Sequence, residues 1–303
     1  TCGVVNQWFL GLDEFQTMRN QIIKQVKKDW QKNFENQLDI AERKEISKVA
    51  RYFRSEYYKG IDDYLSTKKI TNYQGLFKEL DVTNIYNDIY VNIGLRFTKW
   101  YQRNFEKLID KQTTDETIWA QKYSYIAGKI AAERVVSVSG NRRKELKNVL
   151  QRLVKNPEFN ALNERQAQRI LRQKFNNLSK TNAQRIIRTE STLAANYATQ
   201  QTAIDTFGLN NLQKEWFAAL DSRTRPDHAA ANGQIVDQKD YFRVGGEELM
   251  MPGDSNASAA NVINCRCSSA SFPKEEPETV QSNLLEGLAY TYIAGEVAQE
   301  VLE

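Results

Sequence analysis

One histidine and two closely spaced cysteines are the side chains best suited to chemistry in this chain. His228 is the single histidine, and Cys265 and Cys267 are two of the three cysteines in 303 residues. If Asn264-Cys265-Arg266-Cys267 is a strand, its period of two puts both sulfurs on the same face. Two thiolates and one imidazole that converge are good zinc ligands, and tetrahedral zinc takes a fourth. The sequence therefore predicts a structural metal site.

The fourth ligand predicted for this site is a carboxylate, with Asp221 as the first choice and Asp254 as the reserve. Two other arrangements use the same residues. His228 could hydrogen-bond Asp221 or Asp227 while both cysteines are merely buried. It could also activate one thiol as a nucleophile, although the sequence shows no orienting group or oxyanion hole for that reaction. A disulfide between the neighbouring cysteines is disfavoured, because an extended strand opposes so tight a ring.

A strand and a short helix are predicted to position His228. Alternating residues predict the strand, namely Leu212, Lys214, Trp216, Ala218 and Leu220. Thr224 is predicted to cap the short helix that follows, with Pro226 tolerated in its first turn. Turn signals between further short segments occur at Asn232-Gly233, Gly245-Gly246 and Pro252-Gly253-Asp254.

The N-terminal part of the chain predicts long amphipathic helices. Apolar residues recur every three or four positions in three stretches, which run from Leu12 to Leu38, from Ile46 to Tyr64 and from Val82 to Ile109. No proline precedes position 157, so none forces a break there. Aromatic residues on these stripes are typical of a core or of an interface between helices.

Further helices are predicted in the middle of the chain. A turn at Ser139-Gly140-Asn141 is predicted to separate them from the N-terminal body. The stretch from Glu164 to Leu178 is again amphipathic. Thr181 and Gln184 form a capping-box pattern that is predicted to begin the next helix, and Gly208 is predicted to end it.

These patterns predict a mainly α fold: an elongated helical body, then a small mixed α/β, loop-rich module, then a terminal helix. The predicted domains are a helical N-terminal domain, a basic helical middle, the small module that holds the Asp/His/Cys cluster, and an acidic helical tail. Their bounds are residues 1–135, 136–210, 211–274 and 275–303.

Charge is unevenly distributed along the chain, although the net charge is only +4. Residues 134–190 hold 14 Lys/Arg and 4 Asp/Glu, whereas residues 275–303 hold 7 Glu and no Lys or Arg. Both segments can be solvated helix faces, but the basic one can also lie near phosphate backbones. Within it, Arg185 and Arg188 share a helix face and are predicted to pair with Glu190 or with acids of the small module.

Several classes of protein are disfavoured by composition. No stretch approaches the roughly 20 apolar residues of a membrane-spanning helix, so no membrane is expected among the partners. The first ten residues lack the pattern of a signal peptide. Three cysteines do not make a disulfide framework, which favours a reducing compartment such as the bacterial cytoplasm.

An ordered set of short motifs resembles the phage Mu F-like head-morphogenesis family. That family carries Arg-Thr-Glu on a helix, then Trp, Asp-x-Arg-x-Arg-x-x-His, Asn/Asp-Gly, Pro-Gly-Asp and Asn-Cys-Arg-Cys. In this chain the motifs are Arg188-Thr189-Glu190, Trp216, Asp221-Ser222-Arg223-Thr224-Arg225-Pro226-Asp227-His228, Asn232-Gly233, Pro252-Gly253-Asp254 and Asn264-Cys265-Arg266-Cys267. The resemblance covers roughly residues 120 to 272.

The resemblance implies a minor capsid protein of a tailed bacteriophage, associated with the portal inside the procapsid and acting in head morphogenesis and in DNA packaging or ejection. The implied partners are the portal protein and the major capsid protein, with packaged DNA as a further, non-specific one. The implied location is the interior of the capsid near the portal vertex, after assembly in the host cytoplasm. No enzymatic activity is expected. The alternatives are a metal-dependent hydrolase or nuclease, and a non-specific DNA-binding core protein.

Overall fold

The computed structural model describes residues 12–108 and 115–274. Its helices are α1 (Leu12–Thr67), α2 (Glu79–Asn104), α3 (Glu116–Val154), α4 (Pro157–Asn160), α5 (Glu164–Phe207), α6 (Pro226–Ala230) and α7 (Ala259–Val262). Its strands are β1 (Leu212–Phe217), β2 (Ile235–Asp237), β3 (Phe242–Val244), β4 (Glu247–Leu249) and β5 (Ser268–Pro273). The predicted mainly α fold with a small mixed module near the C-terminus is thus confirmed.

The predicted apolar stripes of the long helices form one aromatic core. Trp30 of α1 lies 4.6 Å from Trp100 of α2 between ring centroids, and Phe34 lies 4.8 Å from Phe97. Helix α5 packs against both α1 and α2, and α3 packs against α2. Because these rings are almost fully buried, the stripes from Trp30 onward form the inside of the helical body, as the periodicity predicts.

Two predicted helix boundaries are wrong. Helix α3 runs through Ser139-Gly140-Asn141, where a turn was predicted, and also through the predicted domain boundary at residue 135. Ser139 is fully buried, so packing outweighs the roughly 1 kcal/mol that a helical glycine costs. Helix α5 likewise continues past Thr181, which is exposed, because Asn182 and Ala183 beyond it are buried.

The observed ends of α5 use a different cap and the predicted glycine. A capping box at its start joins Asn163 and Gln166, each side chain accepting from the other residue's backbone N–H. At its end, Gly208 has φ of +80° and donates its N–H to the carbonyl of Ile204, which confirms the predicted terminator. The result is one helix of 44 residues that passes from the helical body into the small module.

A buried charge network ties α5 to α2 and α3. Glu190 accepts hydrogen bonds from Tyr90 at 2.9 Å and Tyr86 at 3.5 Å, and it pairs with Arg134 at 2.5 Å. Burial raises the pKa of the Glu190 carboxyl, while Arg134 and both tyrosines oppose that rise. A carboxylate this deep is tolerated because each of its oxygens has partners.

The arginines of this stretch have partners other than those predicted. Arg188 pairs with Glu42 of α1 at 3.7 Å, and Arg185 donates to the side-chain oxygen of Asn182. Neither pairs with Glu190 or with an acid of the small module among the ion pairs found in residues 12–108 and 115–274. The predicted partners are thus wrong: Arg188 joins α5 to α1, and the bond of Arg185 stays within α5.

The small module contains a three-stranded sheet in the order β2-β1-β5 and a separate hairpin of β3 and β4. Strands β1 and β2 are antiparallel, with Lys214 opposite Val236. A second, smaller core surrounds Trp216 and includes Phe242, Cys265 and Cys267. The turn at Gly253 has φ of +84° and lies against the backbone of Leu193 in α5, where a Cβ would come within 3.1 Å.

The compact unit that contains both cores ends at Phe272. The predicted acidic tail helix at residues 275–303 lies outside the described residues. In the part of the chain that the structure describes, no helix is long and apolar enough to cross a membrane.

Alternation along β1 buries a lysine. Lys214 has no exposed surface, and its amine donates to the carbonyl oxygen of Met250 at 2.7 Å and lies 5.1 Å from the centre of the Phe242 ring. Burial lowers the pKa of this amine to about 8, against the weaker effects of Asp240 and Asp254.

Replacing Lys214 with Met should therefore change how stability depends on pH. In the unfolded chain the amine keeps its proton to about pH 10.5, whereas in the folded chain it releases it near pH 8. Between these values the unfolded state binds more protons, so folding becomes more favourable as pH rises. Urea unfolding should show wild type gaining up to about 3 kcal/mol over Lys214→Met from pH 8 to 10.5. Exposed Lys239→Met serves as the control, and parallel curves for wild type and Lys214→Met would contradict the assignment.

Candidate metal centre

Helix α6 carries the histidine into the small core. Pro226 begins this helix, as predicted, and His228 is only 2 % exposed, with its ring edge-on to Trp216 at 5.8 Å. Thr224 does not cap the helix. Its hydroxyl accepts from the backbone N–H of Asp221 at 3.1 Å and donates to the Asp221 carboxylate at 3.2 Å, which forms a local turn before α6.

The two cysteines lie just before a strand rather than within one. Strand β5 begins at Ser268, so the predicted strand at Asn264-Cys265-Arg266-Cys267 is an irregular segment. The predicted convergence is nevertheless present, since Nδ1 of His228 lies 3.4 Å from the sulfur of Cys267 and 3.6 Å from that of Cys265. All three side chains are about 2 % exposed.

Polar side chains of α5 hold this irregular backbone in place. Thr192 donates to the carbonyl of Cys265 at 2.6 Å, and the amide of Asn196 donates to that of Cys267 at 3.3 Å. Asn196 also accepts from the backbone N–H of Ser269 at 2.7 Å, and Thr189 accepts from that of Asn264 at 3.2 Å. The sequence interpretation missed these residues, although their spacing of three and four on a helix is a signal of one shared face.

Asn261 orients the imidazole. Its side-chain nitrogen donates to the carbonyl of Val244 at 3.3 Å, so its oxygen faces Nε2 of His228 at 3.2 Å. An oxygen there accepts a hydrogen bond from a protonated Nε2. The lone pair of Nδ1 is then directed at the two sulfurs. In metal sites, the histidine nitrogen that does not bind the metal is usually held by a hydrogen bond of this kind.

The geometry of the three groups fits a tetrahedral zinc ion. Zinc bonds of about 2.3 Å to sulfur and 2.05 Å to nitrogen at a tetrahedral angle place the two ligand atoms roughly 3.6 Å apart. The observed separations from Nδ1 of His228 to the sulfurs of Cys267 and Cys265 are 3.4 and 3.6 Å. All three ligand atoms lie within 4.8 Å of one another. A sulfur–imidazole hydrogen bond has a similar length, so the distances also accommodate the metal-free cluster.

Neither predicted carboxylate belongs to this group of ligands. Asp221 instead binds the guanidinium of Arg266 through both oxygens, each at 2.6 Å. That pair holds the pKa of the Asp221 carboxyl well below its usual range. Asp254 accepts from the backbone N–H groups of Met250 and Asn256 and so closes a turn. His228, Cys265 and Cys267 are the residues that the structure brings together.

Electrostatics favour one thiolate in the cluster. The hydrogen bond from Cys267 lowers the pKa of the Cys265 thiol against the effect of burial, and the positive charges of Arg225 and Arg266 act in the same direction. The same hydrogen bond, followed by burial, raises the pKa of Cys267. The guanidinium of Arg225 is held nearby by the carbonyl of Ile263. A thiolate is the form that binds metal, so this environment suits a ligand.

The arrangement contains part of a nucleophilic site, because Asn261 supplies the orienting group that the sequence did not reveal. A cysteine, a histidine and an asparagine in contact also occur in papain-like proteases. A nucleophile must meet its substrate, however, and the sulfurs of Cys265 and Cys267 are covered by protein. Burial of all three ligands therefore favours a structural role for the cluster over a catalytic one.

The tautomer of His228 is directly measurable, because it is the single histidine of the chain. We expect nitrogen NMR of the ring to show the proton on Nε2 and none on Nδ1. In Asn261→Ala that preference should weaken, because the acceptor opposite Nε2 is lost. Exposed Asn177→Ala should leave the spectrum unchanged. A proton found on Nδ1 in the wild type would show that Asn261 does not orient the ring.

Comparison with known proteins identifies one family. Residues 139–270 match the family model described as Phage Mu protein F like protein. No curated protein matches the chain, and no solved structure matches it either. The matched segment contains all the residues of the cluster and the α5 side chains that hold it. Residues 139–270 are therefore similar to phage Mu F-like proteins, a likeness that suggests a role in head morphogenesis.

Proposed function

We propose that this protein is a minor capsid protein that associates with the portal inside the procapsid and acts in DNA packaging or ejection. The observation that carries the proposal is the family match over residues 139–270, which implies a component of the virion. The site agrees with a structural role, since the motif residues Trp216, His228, Cys265 and Cys267 form a closed core. Proteins of phage head families are also generally non-enzymatic.

The surface that suits docking on the portal is the beginning of α1. Among residues 14–29 no side chain is buried, yet apolar residues recur there at helical spacing. They are Phe15, Met18 and Ile22, whereas Ile23 and Val26 beside them pack against the aromatic core. Helix faces of this kind bind apolar grooves of partner proteins through residues three and four apart.

The docking proposal is tested by incorporation into procapsids. The chain is expressed with the portal and major capsid proteins, and purified procapsids are assayed for it. We expect wild type to be incorporated and Met18→Asp/Ile22→Asp to be lost, because two charges on the apolar face cannot be buried unpaired. The control Asn20→Asp/Gln21→Asp adds the same charge at exposed positions and should be incorporated normally. Circular dichroism checks that both variants keep their helices. Absence of the wild-type chain from procapsids would refute the proposal.

We also propose that His228, Cys265 and Cys267 hold a structural zinc ion. They offer two sulfurs and one imidazole nitrogen, which are donors that zinc prefers. Asn261 contacts Nε2 of His228, as a partner of a metal-bound histidine does. When bound, zinc would crosslink α6 to the segment before β5. Among the described residues no carboxylate joins these three ligands, so the fourth position remains for a water or another donor.

Elemental analysis of the purified chain tests the zinc site. We expect about one zinc per chain, its loss in Cys267→Ser, and a lower melting temperature after chelation, because metal binding energy is folding energy. Asp221→Asn should keep the metal, since Asp221 binds Arg266 instead. Metal-free wild-type protein would exclude the site. Zinc-dependent DNA cleavage that disappears in Cys265→Ser would instead support the hydrolase alternative.

A further inference from the structure

After its first residue, Glu164, the first half of α5 contains no acidic residue as far as Thr189. Between Arg165 and Thr189 there are seven Lys/Arg and seven Asn/Gln, with no Asp or Glu. A solvated helix face usually mixes both signs of charge, because pairs of opposite charge three or four apart stabilise the helix. This composition forgoes that stabilisation and concentrates positive charge on one element.

The exposed polar side chains of this part of α5 form a continuous line along the helix, which we call the α5 stripe. It comprises Arg165, Arg169, Gln173, Asn177, Lys180, Gln184 and Arg188. Successive members are four or three residues apart and therefore lie above one another on the helix. All are exposed except Arg188, which is half-buried. At about 1.5 Å per residue the stripe is about 35 Å long.

Protein acids neutralise only part of this charge. Arg188 is paired with Glu42, and beside the stripe Arg172 is paired with Asp62 at 3.2 Å. Arg165, Arg169 and Lys180 have no acidic partner within the described residues. Exposed cations without partners keep their full interaction for an external anion.

The chemistry of the stripe fits a phosphate backbone better than an acidic protein. Arginine, lysine, asparagine and glutamine are the side chains that contact phosphates and sugars in nucleic-acid complexes. A protein interface would need an apolar centre. Here the exposed large apolar side chain on this part of α5 is Ile170, at 43 % exposure. We propose that the α5 stripe binds the phosphate backbone of double-stranded DNA without reading its sequence.

This inference deepens the DNA-related part of the proposed function, but it stands on the charge and exposure of α5 alone. The stripe is made of side chains other than the cluster of His228, Cys265 and Cys267. It also differs from the docking face at the beginning of α1. Each of the three proposals can therefore fail without the others.

The test is binding of the full chain to a labelled 25-base-pair duplex of arbitrary sequence over a range of salt concentrations. Arg165→Gln/Arg169→Gln/Lys180→Gln removes three charges and keeps the polar character of the stripe. Each phosphate contact contributes about −0.9 to the slope of log affinity against log salt. We expect the variant to flatten that slope by about 2 to 3 and to weaken binding in 0.1 M salt by on the order of 10²-fold.

The matched control is Arg103→Gln/Lys239→Gln/Arg243→Gln, which removes three exposed charges elsewhere and should bind nearly as wild type does. Wild type that does not bind, or a stripe variant that binds like wild type, would overturn the proposal. Binding to a poly-glutamate peptide but not to the duplex would also overturn it, in favour of an acidic protein partner. The stripe variant should still enter procapsids, because its docking face on α1 is unchanged. If wild type does not enter procapsids, that result contradicts the docking proposal alone.

Discussion

Hydrogen bonds from α5 to an irregular stretch of backbone are the constraint on which the small module depends. The segment from Asn264 to Cys267 lies outside any strand, yet Cys265 and Cys267 are buried, so their carbonyl groups must be satisfied within the protein. Thr192 and Asn196 supply the donors for the carbonyls of Cys265 and Cys267. Leaving such a carbonyl without its donor costs about 1 to 3 kcal/mol. Because α5 also crosses the aromatic core, these bonds attach the module to the helical body.

Fixing that backbone also decides where its side chains go. With their carbonyls bonded to α5, both cysteines place their sulfurs in the small core beside His228, while Arg266 between them reaches the carboxylate of Asp221. The pair of Arg266 with Asp221 and the cluster of His228 with the two cysteines thus both depend on this one segment, which has no strand partner. Asn261 of α7 then completes the cluster by setting the tautomer of His228. Helices α5, α6 and α7 and the segment before β5 therefore position the cluster together.

Much of the fold was predictable because it rests on periodicity. The stripes of the long helices, the strand around Trp216 and the terminator at Gly208 follow from local rules and are observed. The continuation of α3 through Ser139-Gly140-Asn141 and of α5 past Thr181 was not, since a glycine or a Thr-x-x-Gln pattern yields to tertiary packing. In the cluster, ligand chemistry predicted the three converging residues. It assigned Asp221 wrongly, because its alternative partner Arg266 becomes visible only when the chain is folded.

The distribution of residue types along α5 has one physical cause. Where the helix is exposed it carries Arg and Lys, and from Thr189 onward, where it is buried, it carries Thr, Ser, Asn, Gln and Ala. Uncharged polar groups can be buried when they are hydrogen-bonded, whereas a buried charge requires full compensation. Glu190 is a buried charge that has this compensation, since Arg134, Tyr86 and Tyr90 all contact it. The charge of the first part can therefore vary without reaching the cysteines, whereas a change at Thr192 or Asn196 in the second part removes a hydrogen bond that holds their backbone.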